Sequence, residues 1–527
     1  MGCQRGRISP RVRISGSPAF HRFSFTAFPM HTIVDKRPAF RVRELLADRT
    51  LLALLALAML VRLAAIVAFP SLHHPDENFQ LFEQAHRIAF AYGIVPWEFR
   101  DGIRSPVLPY VLAGLFWLGE RVIGGPEGYL LLARSGLAAT SLLAVAAVYR
   151  MGRRTSATHA LMAGLVAATW FELVYFAGRP LTEAVAATFL LAGLALASVP
   201  QERFSFRRLV AIGFCLGLAL MLRFHLGPGL LVVAVWVGGR DLRTRWWPMG
   251  LGGLLPLIVF GAADWLFWGA PFSSYVEALR IDLINGKASS FGVESPIYYF
   301  EQLADTWAGA LPAMAGLVLL RARTSTLWIA VALVIIASHM AIPHKEYRFV
   351  FPAFACLAVV AAMGSADLIE YLRQLAGPGR AGPALLPSGA ALWVGTSAAL
   401  AFAPGFQDGW FEAGDVIAAE FALAHQPDLC GVLFYNHDWA STGGYAHLHR
   451  DVPIFALEKD QDRARQSTAA FNAIVLTRGS LDDFTPQFTL QECSGDDDDD
   501  ACVMRRQGAC TPAPDLEVNA MLRRIGE

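Results

Sequence analysis

Charged residues are scarce in this chain. Of its 527 residues, 17% are Asp, Glu, Lys or Arg and 55% are hydrophobic, whereas a soluble domain of this length carries about a quarter charged residues. The apolar excess is gathered into runs of roughly 20 residues, which are long enough to cross a bilayer. The 44 basic and 44 acidic residues balance, so a general affinity for nucleic acid is not indicated. These proportions exclude an ordinary soluble enzyme and predict a membrane protein.

The sequence also lacks the loops that bind nucleotides. It has no GxxxxGKS/T phosphate loop, and no GxGxxG run followed by a nucleotide-binding pattern. A soluble nucleotide-sugar donor is therefore disfavoured. Metal-ligand spacing is poor as well: His73, His74 and Asp76 form one alternative set, but adjacent residues rarely point at one ion. We predict no metal and no other cofactor.

The first 49 residues lack the apolar core of a signal peptide. They carry ten Lys or Arg residues and three acids, which predicts a basic cytoplasmic N-terminal arm over residues 1–49. Two alternatives stay open. One is Met30 as the true initiator, and the other is a transit peptide, because such leaders are rich in Arg and poor in acids.

Eleven apolar runs are candidate membrane spans, so the predicted fold is an all-α polytopic membrane protein. A further run, 106–123, is short and ends near a charged pair, and we predict a re-entrant or interfacial segment there. The candidate spans are 50–69, 128–148, 158–177, 181–199, 209–222, 226–239, 247–268, 303–320, 325–342, 349–366 and 385–403.

The distribution of basic residues predicts the topology, because short cytoplasmic loops are enriched in Lys and Arg. With the N-terminus in the cytoplasm, every basic cluster between spans falls inside, from Arg150, Arg153 and Arg154 to Arg373 and Arg380. We therefore predict a multi-pass protein of the cell inner membrane with a periplasmic C-terminal part. The outer face then holds 70–105, 179–183, 223–225, 269–302, 344–348 and the tail after 404.

The first outer loop is rich in carboxylates. It contains His74-Pro75-Asp76-Glu77, then Gln80 and Glu83, and further on Trp97-Glu98 and Ile103-Arg104-Ser105. Asp76, Gln80 and Glu83 share one face if this part is helical. Carboxylates beside a membrane are costly unless they are solvated, paired or used in function. A solvated amphipathic loop is the plainer alternative.

This loop resembles the first luminal loop of glycosyltransferase family 22, the dolichyl-phosphate-mannose-dependent α-mannosyltransferases of N-glycan precursor and GPI-anchor assembly. The family's His-Pro-Asp-Glu, Gln, Glu, Gly, Trp-Glu and Ile-Arg-Ser pattern is present, with Gly93 at the glycine. A second run, 344–349, reads His-Lys-Glu-Tyr-Arg-Phe and is similar to the family's His-Lys-Glu-x-Arg-Phe signature. The segment 179–183 is a weaker, shortened match. The resemblance covers residues 50–370 and implies a GT-C type fold.

The resemblance implies inversion at the anomeric carbon, with an Asp of the first loop as base. We predict Asp76 for this role and Glu77 as the alternative, since the two are adjacent. Sugar transfer from a lipid phosphate also needs cations where negative charge develops. Outer-face cations expected at the donor phosphate are Arg104, Arg179, Arg223, His344, Lys345 and Arg348, and expected substrate contacts are Gln80, Glu83, Trp97, Glu98 and His225. For 344–348 an interfacial basic belt is the alternative.

Beyond residue 404 the sequence becomes mixed. Short apolar runs at 430–434, 452–457, 473–476 and 488–490 alternate with polar stretches, which predicts a small α/β extracytoplasmic domain over 405–527. Cys430, Cys493, Cys502 and Cys510 allow one or two disulfides among three possible pairings. The other cysteines, Cys3, Cys215 and Cys356, are expected to be unpaired.

Taken together, these features predict a membrane glycosyltransferase with its catalytic domain over 50–404. It is expected to move a hexose, mannose by the resemblance, from a polyprenyl-phosphate donor to a lipid-linked or glycan acceptor of the cell envelope. The expected partners are these substrates and the membrane lipids. The alternatives are a polytopic transporter, a lipid-linked-substrate binding protein and a membrane scaffold. A transporter would place charges within the spans of two related halves, whereas the charges here cluster in outer loops.

Overall fold

The computed structural model of the protein describes residues 48–377, 381–437, 439–457 and 461–526. The predicted basic arm lies outside these ranges except for its last two residues, and Cys3 lies outside them as well. From Asp48 onward the chain forms one compact unit. Most of this unit is helical, and a small sheet follows near the C-terminus.

Each predicted span coincides with one helix or with two helices joined at a bend. The predicted re-entrant segment is the 16-residue helix Val107–Val122. The predicted first outer loop, residues 70–105, is called loop one below. It contains the π-helical turn Glu77–Phe82 and the helices Glu83–Phe90 and Trp97–Arg100. The segment before Tyr298–Trp307 contains the helix Ser273–Ala278 and the π-helical turn Leu279–Ile284. The span helices are Arg49–Ala68, Gly125–Arg153, Ala157–Thr169 with Phe171–Tyr175, Thr182–Ala197, Phe206–Leu222, Gly227–Gly238, Trp247–Trp268, Tyr298–Trp307 with Leu311–Arg321, Thr326–Met340, Tyr347–Ala376 and Ala381–Ala401.

Several of the described helices are long and apolar enough to cross a membrane. There are six of them, or seven if the pair Ala157–Thr169 and Phe171–Gly178, bent by 55°, counts as one span. Shorter apolar helices cover Thr182–Ala197, Phe224–Gly238 and Thr326–Met340. The helix Tyr347–Ala376 is the most enclosed and runs through the centre of the bundle. The predicted all-α membrane architecture is confirmed.

A buried arginine stabilises the bend in the third span. The carbonyl groups of Ala167 and Ala168 lie just before the bend and lose their helical partners there. The guanidinium of Arg62 donates to these two oxygens at 3.0 and 2.9 Å and to Ser141 Oγ at 2.9 Å. A broken helix inside an apolar bundle is tolerated when neighbouring groups satisfy its backbone in this way.

Glycines set the close approach of two neighbouring helices. Phe206–Leu222 and Trp247–Trp268 cross at Gly213 and Gly252, where an added Cβ would overlap a backbone carbonyl of the opposite helix. Small residues allow this contact between backbones in membrane bundles. Arg223 follows directly at the end of Phe206–Leu222.

The sheet near the C-terminus has five strands in the order β2-β1-β3-β5-β4. The strands are β1 (Val432–Tyr435), β2 (Ile454–Ala456), β3 (Ala473–Thr477), β4 (Thr489–Cys493) and β5 (Ala501–Arg505). β2, β1 and β3 are parallel, and β5 is antiparallel to both β3 and β4. Helices Gly414–Ala424, Gly444–Leu448, Gln461–Gln466 and Val518–Ile525 accompany it.

The four predicted apolar runs correspond to β1, β2, β3 and the start of β4, while β5 was not predicted. The structure selects one of the three cysteine pairings, Cys430 with Cys510 and Cys493 with Cys502. Cys215 and Cys356 are free and buried in the helical bundle, as expected. The acidic run 496–500 forms the connection between β4 and β5.

The C-terminal part packs against loop one. Phe79 and Ile94 pack in one apolar cluster with residues of the sheet. The amide of Asn519 donates to Gly93 O at 3.1 Å, and its Oδ1 accepts from Val95 N at 2.9 Å. Asn78 donates to Thr442 O at 3.2 Å. The predicted catalytic loop therefore lies between the helical bundle and the sheet.

Candidate active site

One large cavity lies where loop one, the ends of several helices and the C-terminal part meet. Its volume is about 890 Å³. Trp439, Ala456, Leu457 and Arg463 of the C-terminal part contribute to its wall. Ten of the predicted site residues also line it: Asp76, Gln80, Trp97, Glu98, Arg104, Arg223, His225, His344, Lys345 and Arg348. The predicted residues among them come from three separate segments, 70–105, 223–225 and 344–348.

Asp76 and Arg348 form the central ion pair of this cavity. Arg348 Nη2 donates to Asp76 Oδ2 at 2.6 Å. The same guanidinium donates through Nε to Glu346 Oε2 at 2.5 Å and through Nη1 to Glu183 Oε1 at 3.4 Å. All three nitrogens of Arg348, expected at the donor phosphate, therefore face carboxylates. With these three partners, Arg348 is better placed to orient Asp76 than to bind an anion.

Asp76 is held in its charged form. Burial raises the pKa of Asp76, but the charges of Arg348 and His74 outweigh burial and bring this pKa well below its usual range. His74 Nδ1 lies 3.6 Å from Asp76 Oδ1, and His74 Nε2 lies 3.2 Å from Glu346 Oε2. A carboxylate with a lowered pKa is ready to accept a proton at neutral pH, although it is a weak base.

Glu77 points away from the cavity even though it follows Asp76 directly. Its side chain is fully buried and pairs with Arg179, whose Nη1 lies 3.0 Å from Glu77 Oε1. Arg179 also donates to Ser71 Oγ at 2.8 Å, and the amide of His73 donates to Glu77 Oε1 at 2.8 Å. Arg179, expected at the donor phosphate, instead holds the start of loop one. The two adjacent carboxylates thus occupy different environments.

Glu83 also lies outside the cavity, where it joins loop one to the C-terminal part. Its Oε1 accepts from Ile94 N at 2.6 Å, and its Oε2 accepts from Ala446 N at 2.9 Å. Burial raises the pKa of Glu83 to about 7. The expected substrate contact is replaced by a structural link between segments more than 360 positions apart in sequence.

Gln80, Glu98 and Arg104 form a polar chain along one wall of the cavity. Gln80 Nε2 donates to Glu98 Oε1 at 3.0 Å, and Arg104 Nε donates to Gln80 Oε1 at 3.0 Å. Burial raises the pKa of Glu98 to about 7; the charge of Arg104 opposes this shift and that of Asp76 adds to it. Next to this chain, the Lys287 ammonium lies 3.6 Å from the centre of a Trp97 ring.

Lys345 is a buried cation at the opposite wall. Its ammonium donates to the carbonyl oxygens of Glu294 and Pro343 at 3.0 and 3.3 Å. Carbonyl groups orient the ammonium without neutralising its charge. His344 Nε2 lies 2.9 Å from Glu346 Oε1, and this hydrogen bond raises the pKa of His344. The run 344–346 therefore places positive charge beside the cavity.

Glu183 links two of the expected cations, and sequence reasoning gave it no role in the site. Its Oε1 lies 3.1 Å from Arg223 Nη2 and 3.4 Å from Arg348 Nη1. The weak match of segment 179–183 to the family pattern was the only signal for it. His339 and Asp282 also line the cavity and were not predicted. His339 sits in an apolar span, where a histidine is itself unusual.

His73 and His74, from the alternative metal set, point in different directions. His73 Nδ1 lies 3.0 Å from the Tyr175 hydroxyl, and its ring packs edge-on against Phe176. His74 faces Asp76 and Glu346 on the other side. Within the described ranges, no group of three or more His, Cys, Asp or Glu residues is arranged to hold a metal ion.

The sequence of the chain matches a known enzyme family. The model of the Alg9-like mannosyltransferase family matches residues 52–449, which include every predicted site residue. The chain belongs to the Alg9-like mannosyltransferase family. The predicted resemblance and the predicted enzyme class are therefore confirmed. A transporter or a scaffold does not account for this membership.

The Alg9-like relatives include several GPI mannosyltransferases. The chain is 26% identical over 417 residues to GPI mannosyltransferase 3 of Yarrowia lipolytica, covering 75% of each chain. It is 27% identical over 324 residues to the Drosophila melanogaster protein of that name, covering 58% of this chain and 54% of the relative. It is 25% identical over 326 residues to GPI alpha-1,2-mannosyltransferase 3 of Xenopus laevis, and this match covers 58% of each chain. The last two matches thus span little more than half of those relatives.

A solved GT-C structure shares the fold. ArnT from Cupriavidus metallidurans, bound to undecaprenyl phosphate, superposes with a TM-score of 0.57 at 14% identity, covering 88% of this chain and 99% of ArnT. Its apo state gives a TM-score of 0.55. At this identity the likeness concerns the fold, and it confirms the GT-C type predicted for this Alg9-like chain.

Proposed function

We propose that this Alg9-like enzyme transfers mannose from a polyprenyl-phosphate donor to a hydroxyl of a lipid-linked or glycan acceptor, with inversion. The observation that carries the proposal is the cavity itself. It places an ionised carboxylate, Asp76, beside cations that stand at the ends of apolar helices. Such a site can receive a phosphate whose lipid tail stays in the bilayer.

The donor phosphate is assigned to Lys345, Arg104 and Arg223, with His344 nearby. Lys345 contacts only carbonyl oxygens among its hydrogen-bond acceptors on the described chain, so its charge is available to an anion. Arg104 lies 3.9 Å from Asp282, a distance that leaves its terminal nitrogens weakly engaged. Arg223 has one nitrogen on Glu183. Charge-assisted bonds from these groups would stabilise the phosphate as it leaves.

Asp76 is assigned as the base. The acceptor oxygen attacks the anomeric carbon from the face opposite the phosphate. A new bond forms between this carbon and the acceptor oxygen while the bond between the carbon and the phosphate oxygen breaks. The electron pair of that bond leaves with the phosphate, and the acceptor proton passes to Asp76. Single displacement inverts the configuration. A weak base is sufficient because the acceptor oxygen becomes acidic once it is bonded to the anomeric carbon.

Arg348 is assigned a positioning role. Three carboxylates surround its guanidinium, and two of them, Asp76 and Glu346, line the cavity. The pair fixes the direction of Asp76 and keeps it ionised in a buried site. An acceptor hydroxyl can then use the second oxygen of Asp76, which faces His74 at 3.6 Å.

The relatives and the charge distribution support the rest of the proposal. The relatives' names favour transfer in α-1,2 linkage to a GPI-type glycan. The basic clusters between spans favour an outer, periplasmic location for the cavity. We assign residues 50–404 as the catalytic domain and 405–527 as an extracytoplasmic domain that closes one wall of the cavity.

The stereochemistry of the product tests this proposal. Purified enzyme in lipid is supplied with β-linked polyprenyl-phosphate-mannose and a lipid-linked mannoside acceptor. We expect an α-mannoside, cleavable by an α-mannosidase, and no product from Asp76→Asn. A β-linked product would overturn the single displacement, and equal product from Asp76→Asn would overturn the assigned base.

A further inference from the structure

A histidine at one end of the cavity has a free nitrogen that the proposed chemistry does not use. His339 lies in the last turn of helix Thr326–Met340 and is 1% exposed. Its Nδ1 is 2.8 Å from the carbonyl oxygen of Ile335. A carbonyl oxygen only accepts, so Nδ1 carries the hydrogen and donates. The other nitrogen, Nε2, therefore carries the lone pair and can accept a hydrogen bond.

Nε2 of His339 is buried and has no hydrogen-bond partner among the residues that the structure describes. Two neighbours that line the same cavity share this property: Arg223 at Nε and His225 at Nδ1. The rings of His225 and His339 are 6.3 Å apart. Buried polar atoms without partners are uncommon in native proteins, and each one points to a missing ligand or water.

We propose that His339 Nε2 and Arg223 Nε bind hydroxyl groups of a hexose, and we name these two residues the hydroxyl subsite. This inference rests on the proposed function and extends it to substrate recognition. A sugar hydroxyl can donate to His339 and accept from Arg223, as the two nitrogens require. The hexose is either the mannose being transferred or the terminal sugar of the acceptor.

The same chemistry argues against a phosphate at His339. An ionised phosphodiester carries no hydrogen to donate, and its oxygens would meet the lone pair of Nε2. The aromatic ring of Phe224, 3.9 Å from that of His225, adds an apolar face to this end of the cavity. Polar nitrogens beside an aromatic face suit a hexose, whose rim is polar and whose ring faces are apolar.

Arg223 connects this subsite to the reacting groups. Its Nη2 binds Glu183, which in turn faces Arg348, the partner of Asp76. A hexose held by Arg223 Nε therefore lies on the same polar chain as the base. Loss of the subsite should misplace the sugar without changing the ionisation of Asp76.

The test compares deoxy analogues on wild type and variants. Mannose transfer is measured with donors that lack one hydroxyl each, and then with acceptors that lack one hydroxyl each. His339→Leu keeps most of the volume, and His339→Ala serves if the leucine variant does not fold. His447→Ala is the matched control, because His447 is also 1% exposed with Nδ1 on a carbonyl, 2.9 Å from Gly443 O, but lies outside the cavity.

We expect one analogue to lower kcat/KM by about tenfold in wild type and in His447→Ala, as one lost hydrogen bond does. In the His339 variant, kcat/KM for the natural substrate should fall by a similar factor. For that analogue, the variant's kcat/KM should be no lower than it is for the natural substrate. Whether a donor or an acceptor analogue shows this identifies the hexose. Equal losses in wild type and variant for every analogue would mean that only water meets Nε2, and would overturn the inference. A wild type inactive with polyprenyl-phosphate-mannose would instead overturn the proposed function, and this inference with it.

Discussion

Arg348 Nη2 donates a 2.6 Å hydrogen bond to Asp76 Oδ2 across 272 positions of sequence. The contact joins the first carboxylate loop to the first turn of helix Tyr347–Ala376, where the basic run 344–348 ends. The two motifs thus meet in one ion pair, in which Arg348 lowers the pKa of Asp76. Most of the expected behaviour of variants follows from this pair and its neighbours.

Asp76→Asn and Glu77→Gln should fail in different ways. Asp76→Asn should lower kcat by at least about 100-fold, because Asn cannot accept the proton, while donor binding and melting temperature stay near wild type. Glu77→Gln leaves the buried Arg179 without a charged partner, which costs about 3–5 kcal/mol of stability. Thermal unfolding and turnover are measured on both variants. An active Asp76→Asn beside a stable but inactive Glu77→Gln would move the base by one residue.

Arg348→Lys and Lys345→Gln should separate kcat from donor KM. Lysine supplies one point charge and cannot serve three carboxylates, so Arg348→Lys should lower kcat more than it raises the donor KM. Lys345→Gln removes a charge-assisted contact and should raise the donor KM by about tenfold or more. Steady-state kinetics over a range of donor concentrations measures both. If Arg348→Lys mainly raised the donor KM and Lys345→Gln mainly lowered kcat, Arg348 would be the residue that binds the phosphate.

Glu98 should give the enzyme a pH dependence near neutrality. Burial raises the pKa of Glu98 to about 7, so this carboxyl is neutral below that pH and ionised above it. The ionised form adds a negative charge to a cavity that receives a phosphate. Donor affinity should therefore fall as the pH rises through about 7, and Glu98→Gln should remove this fall. An unchanged profile in Glu98→Gln would show that another group titrates.

Labelling of single cysteines should reveal the proposed topology. Cys215 and Cys356 are buried, and the other described cysteines are disulfide-bonded, so the wild-type background should be low. In intact cells, Val293→Cys and Phe411→Cys should react with a membrane-impermeant maleimide, because both positions are exposed on the proposed outer side.

Leu242→Cys is the control for sidedness, since this residue is 72% exposed in a basic loop on the proposed inner side. It should react only after the membrane is permeabilised. Labelling of Leu242→Cys alone in intact cells would invert the proposed topology.

The helical part of the fold was predictable because most of the spans are apolar runs of about 20 residues. Strand β5 was missed because Ala-Cys-Val-Met-Arg has little β-branched character and follows five aspartates. The motifs of loop one predict a site there, but adjacent residues such as Asp76 and Glu77 differ only in side-chain direction. That direction depends on Arg179 and Arg348, which lie far away in sequence.

Glu83 shows how a residue of the motif can lie outside the cavity. It belongs to the same motif as Asp76, and its chemistry is equally suited to substrate binding. Its carboxylate instead binds the amide of Ala446, a contact that only the docking of the C-terminal part creates. His339 was overlooked for the opposite reason, since it belongs to no motif. Its meaning appears only when its buried, unpaired nitrogen is seen beside Arg223 and His225.

The source of the mannose tests the central claim most directly. Purified enzyme in lipid, free of any enzyme that charges lipid carriers, is given an acceptor with either radiolabelled GDP-mannose or radiolabelled polyprenyl-phosphate-mannose. The account predicts transfer to the acceptor from the lipid-phosphate donor, none from GDP-mannose, and none from either donor with Asp76→Asn. Robust transfer from GDP-mannose without a lipid carrier would contradict it.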